Sequence, residues 1–154
     1  MRLWHEQLIP YLDRQHLLGQ HRECCALRGA GWGRPHSVVN YVFDYKPDYL
    51  FAYHCLIMTE MEARGYKPDP AWKDPQWRGQ TLGVDAWIAK PDNSNNGEVL
   101  WVYIIMSNAL THEPIYKEHN RKYLRECVDL LKAKNAPMDF DKIENELGLK
   151  EGTL

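Results

Sequence analysis

The segment from residue 10 to residue 28 constrains the fold most, because its side chains alternate between an apolar and a polar face at helical spacing. The apolar stripe holds Tyr11, Leu17, Leu18, Cys24 and Cys25. The opposite stripe holds His16, Gly19, Glu23 and Ala26. Pro10 suits the first turn of a helix, where its missing N–H costs no hydrogen bond. The pattern predicts one helix over residues 10–28 that buries one face and presents a polar face.

The polar face is a candidate site. Gly19 precedes Glu23 by about one turn and leaves room above the carboxylate for a ligand. A carboxylate beside such an opening can move protons or stabilise a cation. The alternative is an ordinary exposed glutamate that pairs with Arg22 or Arg28. His16 likewise has two interpretations, a ligand contact or a satisfied helix histidine.

The rest of the chain also predicts helices. Pro47 begins the longest one and Gly65 ends it, while Asn120 caps another that reaches about residue 134. The expected core positions of these two helices are Leu50, Tyr53, Ile57, Met61, Leu124, Cys127, Val128 and Leu131. Shorter helices are expected at about residues 37–43 and 141–147.

Two apolar runs between residues 84 and 106 flank a turn-forming segment at residues 93–97. They predict two strands joined by a turn, although the second run also fits a buried helix. The expected fold class is therefore mainly α, a single compact helical domain over residues 1–154, with a small β-hairpin at about residues 84–106 as its one β feature.

Charge is distributed unevenly along the chain. The net charge is −2, but residues 1–36 hold five lysines and arginines against three acids, whereas the remainder holds fourteen against eighteen. This asymmetry permits a local phosphate-binding face on an acidic protein.

Several classes of site and location are not expected. The four cysteines form no CxxC pair and suit reduced thiols of the cytoplasm. The longest apolar run has eight residues, too few to cross a bilayer. No set of potential ligands has a recognised metal spacing, and the glycine-rich residues 29–35 lack the lysine of a nucleotide-binding loop. We expect a cytoplasmic protein without metal, cofactor or membrane contact.

Residues 29–35 instead predict a connection that carries Trp32 and Arg34 directly after the first helix. Aromatic side chains suit base stacking, but they suit core packing equally well. Both roles stay open for Trp32.

The N-terminal residues resemble a known family. Arg2-Leu3, Gln15-His16-Leu17 and Arg22-Glu23 stand at the spacing of the N-terminal signature of the bacteriophage-type pyrimidine-dimer DNA glycosylases with abasic lyase activity. Further similar pieces follow in order up to Gly79. They are Phe43 with Lys46, the segment from Glu62 to Tyr66, and the segment from Pro75 to Gly79.

The resemblance implies a mechanism and a partner. In that family the α-amine of the first residue is the nucleophile, so Met1 would present it here, since a methionine before the bulky Arg2 should be retained. An α-amine has an unperturbed pKa of about 7.7 to 8.0, against about 10.4 for lysine. The resemblance assigns proton transfer to Glu23 and phosphate contacts with double-stranded DNA to Arg2 and Arg22. The functional interpretation of His16 is a contact with a phosphate or a base.

Two functions are compatible with these residues. The first is a DNA repair glycosylase with abasic-site lyase activity on damaged or modified pyrimidines, which acts through an imine. The second is a noncatalytic nucleic-acid or protein-binding module on the same scaffold, favoured by the acidic balance and by the lack of the phage enzymes' aromatic, basic tail. Without that tail, we expect lesion discrimination to depend on Trp32, Arg34 and the Trp77-Arg78 segment. The sequence does not predict the oligomeric state.

Overall fold

The computed structural model describes residues 2–33, 38–91 and 99–150. Five α-helices appear in these ranges: α1 (Arg14–Arg28), α2 (Pro47–Ala63), α3 (Leu100–Thr111), α4 (Arg121–Ala133) and α5 (Phe140–Glu146). Three 3₁₀ helices accompany them: Glu6–Tyr11, Asn40–Asp44 and Pro70–Lys73. Within the same ranges no strand forms, and the β contact is an isolated bridge between Trp77 and Val84. The mainly α prediction is confirmed.

The first α-helix begins later than predicted. Pro10 lies inside the 3₁₀ helix Glu6–Tyr11, and Leu12 then adopts an extended conformation. Asp13 caps α1, since its side chain accepts a hydrogen bond from the backbone N–H of His16. The prediction of a helix from residue 10 was wrong because Pro10 stands near the end of a 3₁₀ helix, and the extended Leu12 and the Asp13 cap separate that helix from α1.

The predicted hairpin at residues 84–106 is also wrong. The second apolar run forms α3, the alternative that the pattern left open. The backbone N–H of Trp101 donates to Asp48 Oδ2 of α2 over 3.2 Å, and the Trp101 ring packs edge to face against Phe51 at 4.9 Å. Packing against α2 therefore decides the conformation of a run whose apolar residues carry no period of their own. The predicted turn at residues 93–97 lies outside the described residues.

The central helix is α2, which contacts both α1 and α3. Its predicted core positions are buried, and so are those of α4. Both sets belong to one hydrophobic cluster that also holds Leu3 and Leu17. None of the helices within the described ranges is long and apolar enough to cross a bilayer.

Arg28 at the end of α1 ties the loop after α2 to the core. It is fully buried and donates to the carbonyl oxygens of Trp72, Asp74 and Trp77 over 2.7 to 2.9 Å. Burial lowers its pKa to about 10, so it stays charged at neutral pH. The side chain of Arg78 in turn donates a hydrogen bond to the Arg28 carbonyl over 2.9 Å. These bonds satisfy carbonyls that a helix end and a loop would otherwise leave unpaired.

Candidate active site

The polar face of α1 and the N-terminal segment form an open cleft of about 470 Å³. Its lining comprises Arg2, Trp4, Gln15, His16, Gly19, Gln20, Arg22, Glu23, Val38, Leu130 and Lys134. Four predicted site residues, Arg2, His16, Arg22 and Glu23, therefore meet at one cleft.

Glu23 lies at the wall of this cleft. The residue is half-buried, and its carboxylate oxygen Oε2 is fully buried. One turn earlier, a Cβ on Gly19 would lie 3.6 Å from Nη2 of Arg22, so the guanidinium of Arg22 extends over the glycine. Gly19 itself lines the cleft, so the predicted opening above Glu23 lies beside this guanidinium.

His16 is held by two neighbours. Its Nδ1 lies 2.7 Å from Asp13 Oδ1, and its ring packs edge to face against Trp4 at a centroid distance of 5.9 Å. Because a carboxylate only accepts hydrogen bonds, Nδ1 carries the hydrogen of this contact. A ligand in the cleft would therefore meet Nε2 of His16.

Cations outnumber acids among the lining residues. Arg2, Arg22 and Lys134 are cationic, and Glu23 is the one acid in that set. Arg2 lies 3.7 Å from Glu126 and 5.7 Å from the centre of the Tyr123 ring, so part of its charge is balanced from α4. This lining suits a polyanion, since guanidinium groups bind phosphate oxygens through two parallel hydrogen bonds.

The N-terminal segment that forms one wall of the cleft is anchored by side chains from three helices. Gln20 of α1 donates to the Arg2 carbonyl over 2.8 Å, and Tyr123 of α4 donates to the Leu3 carbonyl over 2.5 Å. The hydroxyl of Tyr53 in α2 lies 2.6 Å from the Trp4 carbonyl. Three consecutive carbonyls thus each accept a hydrogen bond from a different helix.

Sequence reasoning missed several residues of this site. Gln20 stands four residues after His16 and three before Glu23, so helical spacing placed it on the same face. Tyr53, Tyr123 and Lys134 carried no comparable signal, because they approach the N-terminal segment or the cleft from distant parts of the chain.

The remaining predicted site residues are Met1, Trp32 and Arg34. Met1 and Arg34 fall outside the described residues. Trp32 is not part of the cleft lining, and its ring packs edge to face against Phe43 at 5.1 Å and Trp87 at 5.5 Å. This packing favours the structural alternative for Trp32, while its role against DNA stays a prediction.

A second polar cluster joins His21 and Cys25 of α1 to His54 of α2, with potential ligand atoms within 4.8 Å of one another. Nη1 of Arg28 lies 3.0 Å from His54 Nδ1, and His54 Nε2 lies 2.8 Å from His21 Nδ1. Since arginine only donates, neutral His54 carries its hydrogen on Nε2 and donates it to His21. Burial and the nearby charge of Arg28 lower the pKa of both histidines.

This arrangement forms a hydrogen-bond chain from Arg28 through His54 to His21. The atom of His54 that faces the cluster holds a proton, whereas a metal ligand needs a free lone pair there. The sequence signal was the four-residue spacing of His21 and Cys25, and the contribution of His54 depended on helix packing.

Comparison with known proteins bears on this cleft. Residues 1–74 match the family model described as pyrimidine dimer DNA glycosylase. No curated protein and no solved structure matches the chain. The matched region supplies most of the cleft lining, whereas Leu130 and Lys134 lie beyond it. This match over residues 1–74 confirms the resemblance that the N-terminal signature predicted.

Proposed function

We propose that the protein is a DNA glycosylase with abasic-site lyase activity that acts on damaged or modified pyrimidines in double-stranded DNA. The observation that carries the proposal is the joint position of Arg2, Arg22 and Glu23 at one cleft beside the N-terminal segment. The family description of residues 1–74 supports it.

In this proposal the α-amine of Met1, in its unprotonated form, attacks the sugar C1′ of the target nucleotide. The bond between C1′ and the base breaks, and the base leaves with the electron pair and takes up a proton. The attacking amine loses a proton, and ring opening yields an imine between C1′ and the nitrogen. Loss of a proton from C2′ then expels the 3′ phosphate by β-elimination, and water releases the amine.

Glu23 serves two steps of this scheme. Its carboxylate stabilises the cationic sugar as the base departs, and it exchanges protons with the amine and the sugar. Arg2, Arg22 and Lys134 hold phosphates on either side of the target, and His16 contacts a phosphate or a base through Nε2. The chain would thus bind DNA at one cationic cleft in spite of its net charge of −2.

The target nucleotide must leave the helical stack, which costs a few kcal/mol. The proposal assigns the compensating contacts to Trp32, Arg34 and the Trp77-Arg78 segment. Insertion of Trp32 into DNA would require its ring to leave Phe43 and Trp87.

A noncatalytic nucleic-acid or protein-binding module is the alternative, favoured by the excess of acids after residue 36. Borohydride trapping on DNA with a single abasic site separates the two functions, because only an imine is reduced to a stable covalent adduct. We expect the protein to be trapped in a one-to-one complex with this DNA.

The control is the same chain with two residues added before Met1, which moves the amine away from its position beside Arg2. We expect this variant to bind DNA and to escape trapping. If the unextended protein binds the DNA without forming an adduct, the proposed activity is wrong and the binding module stands. Equal trapping of both proteins would show that the imine does not depend on the amine of Met1.

A further inference from the structure

The first residues of a chain usually fray, yet residues 2–4 of this protein are held firmly. Leu3 is fully buried, Trp4 is 7 % exposed, and each of the three carbonyls accepts a side-chain hydrogen bond. These contacts offset the entropy lost when the backbone of residues 2–4 is ordered.

Gln20 makes the most constraining of these contacts. Its Oε1 accepts a hydrogen bond from the Trp4 backbone N–H over 2.6 Å, and its Nε2 donates to the Arg2 carbonyl over 2.8 Å. In a sheet, a neighbouring strand binds the carbonyl of one residue and the N–H of the second residue after it in the same way. One carboxamide thus replaces a strand partner and fixes both the position and the rotation of the segment.

Tyr53 of α2 contacts both the N-terminal segment and Gln20. Its hydroxyl donates its single hydrogen to the nearer oxygen, the Trp4 carbonyl at 2.6 Å, and lies 2.8 Å from Gln20 Oε1. Burial raises the pKa of Tyr53 well above its ordinary value, so the hydroxyl stays protonated. Gln20 itself is only 2 % exposed, and water has little access to compete for its amide.

The position of Gln20 on α1 connects this arrangement to the carboxylate. Glu23 follows three residues later on the same helix, so the two side chains are neighbours on one face of a rigid element. We propose that Gln20 is a positioning residue that fixes the direction in which the N-terminal segment enters the cleft toward Glu23. This role rests on the proposed function, in which the amine of Met1, the residue before Arg2, is the nucleophile.

Gln20 should therefore contribute to the rate of imine formation and contribute little to the affinity for DNA. A misplacement of about 1 Å between reacting groups can cost about a hundredfold in rate. Within the described ranges Gln20 makes its hydrogen bonds to Arg2, Trp4 and Tyr53, so we expect Arg22 and Lys134, which would hold phosphates, to stay in place when it is changed.

The test compares Gln20→Ala with Gln20→Glu and with Gln76→Ala. Gln76 is a matched control, because its Nε2 also donates to a backbone carbonyl, that of Ile88 at 2.7 Å, but outside the cleft. The readouts are the maximal rate of borohydride trapping at saturating abasic-site DNA, the half-saturating DNA concentration, and the melting temperature.

We expect Gln20→Ala to lower the maximal trapping rate by at least about tenfold and to leave the half-saturating concentration within about twofold. Gln20→Glu keeps the acceptor for the Trp4 N–H but loses the donor to the Arg2 carbonyl. Its maximal trapping rate should lie between those of the wild type and Gln20→Ala. Gln76→Ala should be trapped at the wild-type rate even if its melting temperature drops as much as that of Gln20→Ala.

Equal maximal rates for Gln20→Ala and Gln76→Ala would overturn the positioning role, while trapping of the wild type would leave the proposed function intact. If the wild type forms no adduct, the proposed function fails instead. In that case amide hydrogen exchange at Trp4 decides whether Gln20 holds the segment. Exchange should be faster in Gln20→Ala than in Gln76→Ala, and equal exchange in both variants would show that Gln20 does not hold it. If Gln20→Ala does not fold, Gln20→Glu carries the same comparison.

Discussion

The hydroxyl of Tyr123 donates a hydrogen bond of 2.5 Å to the carbonyl oxygen of Leu3, which lies 120 residues earlier in the chain. Leu3 belongs to the region that matches the family model, whereas Tyr123 lies on α4, outside it. The cleft therefore depends on both halves of the chain, because α4 supports the N-terminal wall and Lys134 completes the lining.

Replacing Tyr123 by phenylalanine removes this donor and leaves the ring. We expect the free energy of unfolding to fall by about 1 kcal/mol, the usual net value of one hydrogen bond, and the rate of imine trapping to fall with it. Urea unfolding and borohydride trapping measure the two effects. Tyr103→Phe is the matched control, since Tyr103 is 69 % exposed on α3. Identical behaviour of the two variants would show that the Leu3 contact contributes nothing.

Replacing Glu23 by glutamine keeps the shape of the side chain but removes its charge and its ability to accept a proton. We expect strand cleavage at an abasic site to fall by at least about a hundredfold, with DNA affinity nearly unchanged. Glu62→Gln, on the exposed part of α2, should cleave at the wild-type rate. If Glu23→Gln cleaves as fast as that control, Glu23 has no part in the mechanism.

Arg22→Ala should weaken DNA binding and flatten its dependence on salt, because one phosphate contact is lost. The slope of the logarithm of the binding constant against the logarithm of salt concentration should fall by about 1. Fluorescence anisotropy over a salt series measures this slope. Arg14→Ala is the control, as Arg14 is exposed on the same helix but is not part of the cleft lining. An unchanged slope in Arg22→Ala would assign that arginine a structural role.

Acid should destabilise the fold through its buried histidines, His5 and His119 among them. Burial lowers the pKa of His5 to about 4 and that of His119 to about 3. Below pH 6.5 the unfolded chain binds protons that the folded chain refuses, so stability is present above this pH and is lost as pH falls toward 4. Each histidine adds at most about 1.4 kcal/mol per pH unit to the loss.

Urea unfolding at pH 7 and pH 5 measures this dependence. His5→Asn is the informative variant, since asparagine can still accept the hydrogen bond that His5 Nδ1 receives from the Gln7 N–H over 3.1 Å. Its loss of stability between the two pH values should be smaller than that of the wild type. A wild type equally stable at both pH values would contradict the prediction.

Trp32→Ala tests the predicted role of the segment after α1 in lesion recognition. We expect cleavage of duplexes that carry a pyrimidine dimer or an oxidised pyrimidine to fall more than cleavage at a bare abasic site, where no base has to be displaced. A loss of stability without any change in relative cleavage would show that Trp32 only packs against Phe43 and Trp87. If the wild type strongly prefers the pyrimidine dimer and Trp32→Ala keeps that preference, the segment after α1 has no role in lesion recognition. The same result would exclude a preferred lesion other than the dimer.

The sequence by itself determined the features that local rules control. The placement of His16 and Glu23 on one face of a helix follows from helical spacing, and that face does line the cleft. The start of α2 at Pro47 and its end before Gly65, with φ of +88°, follow from backbone preferences. The cap of α4 at Asn120 follows from the same kind of short-range hydrogen bond.

Tertiary structure decided the rest, because the competing local conformations differ little in energy. Pro10 fits a 3₁₀ turn as well as an α-helix, and the apolar run before Met106 becomes a helix through its packing on α2. The partners of Gln20 and the approach of Lys134 to Glu23's cleft depend on contacts between residues far apart in the chain. Such contacts leave no periodic trace in the sequence, since either partner alone is compatible with many surroundings.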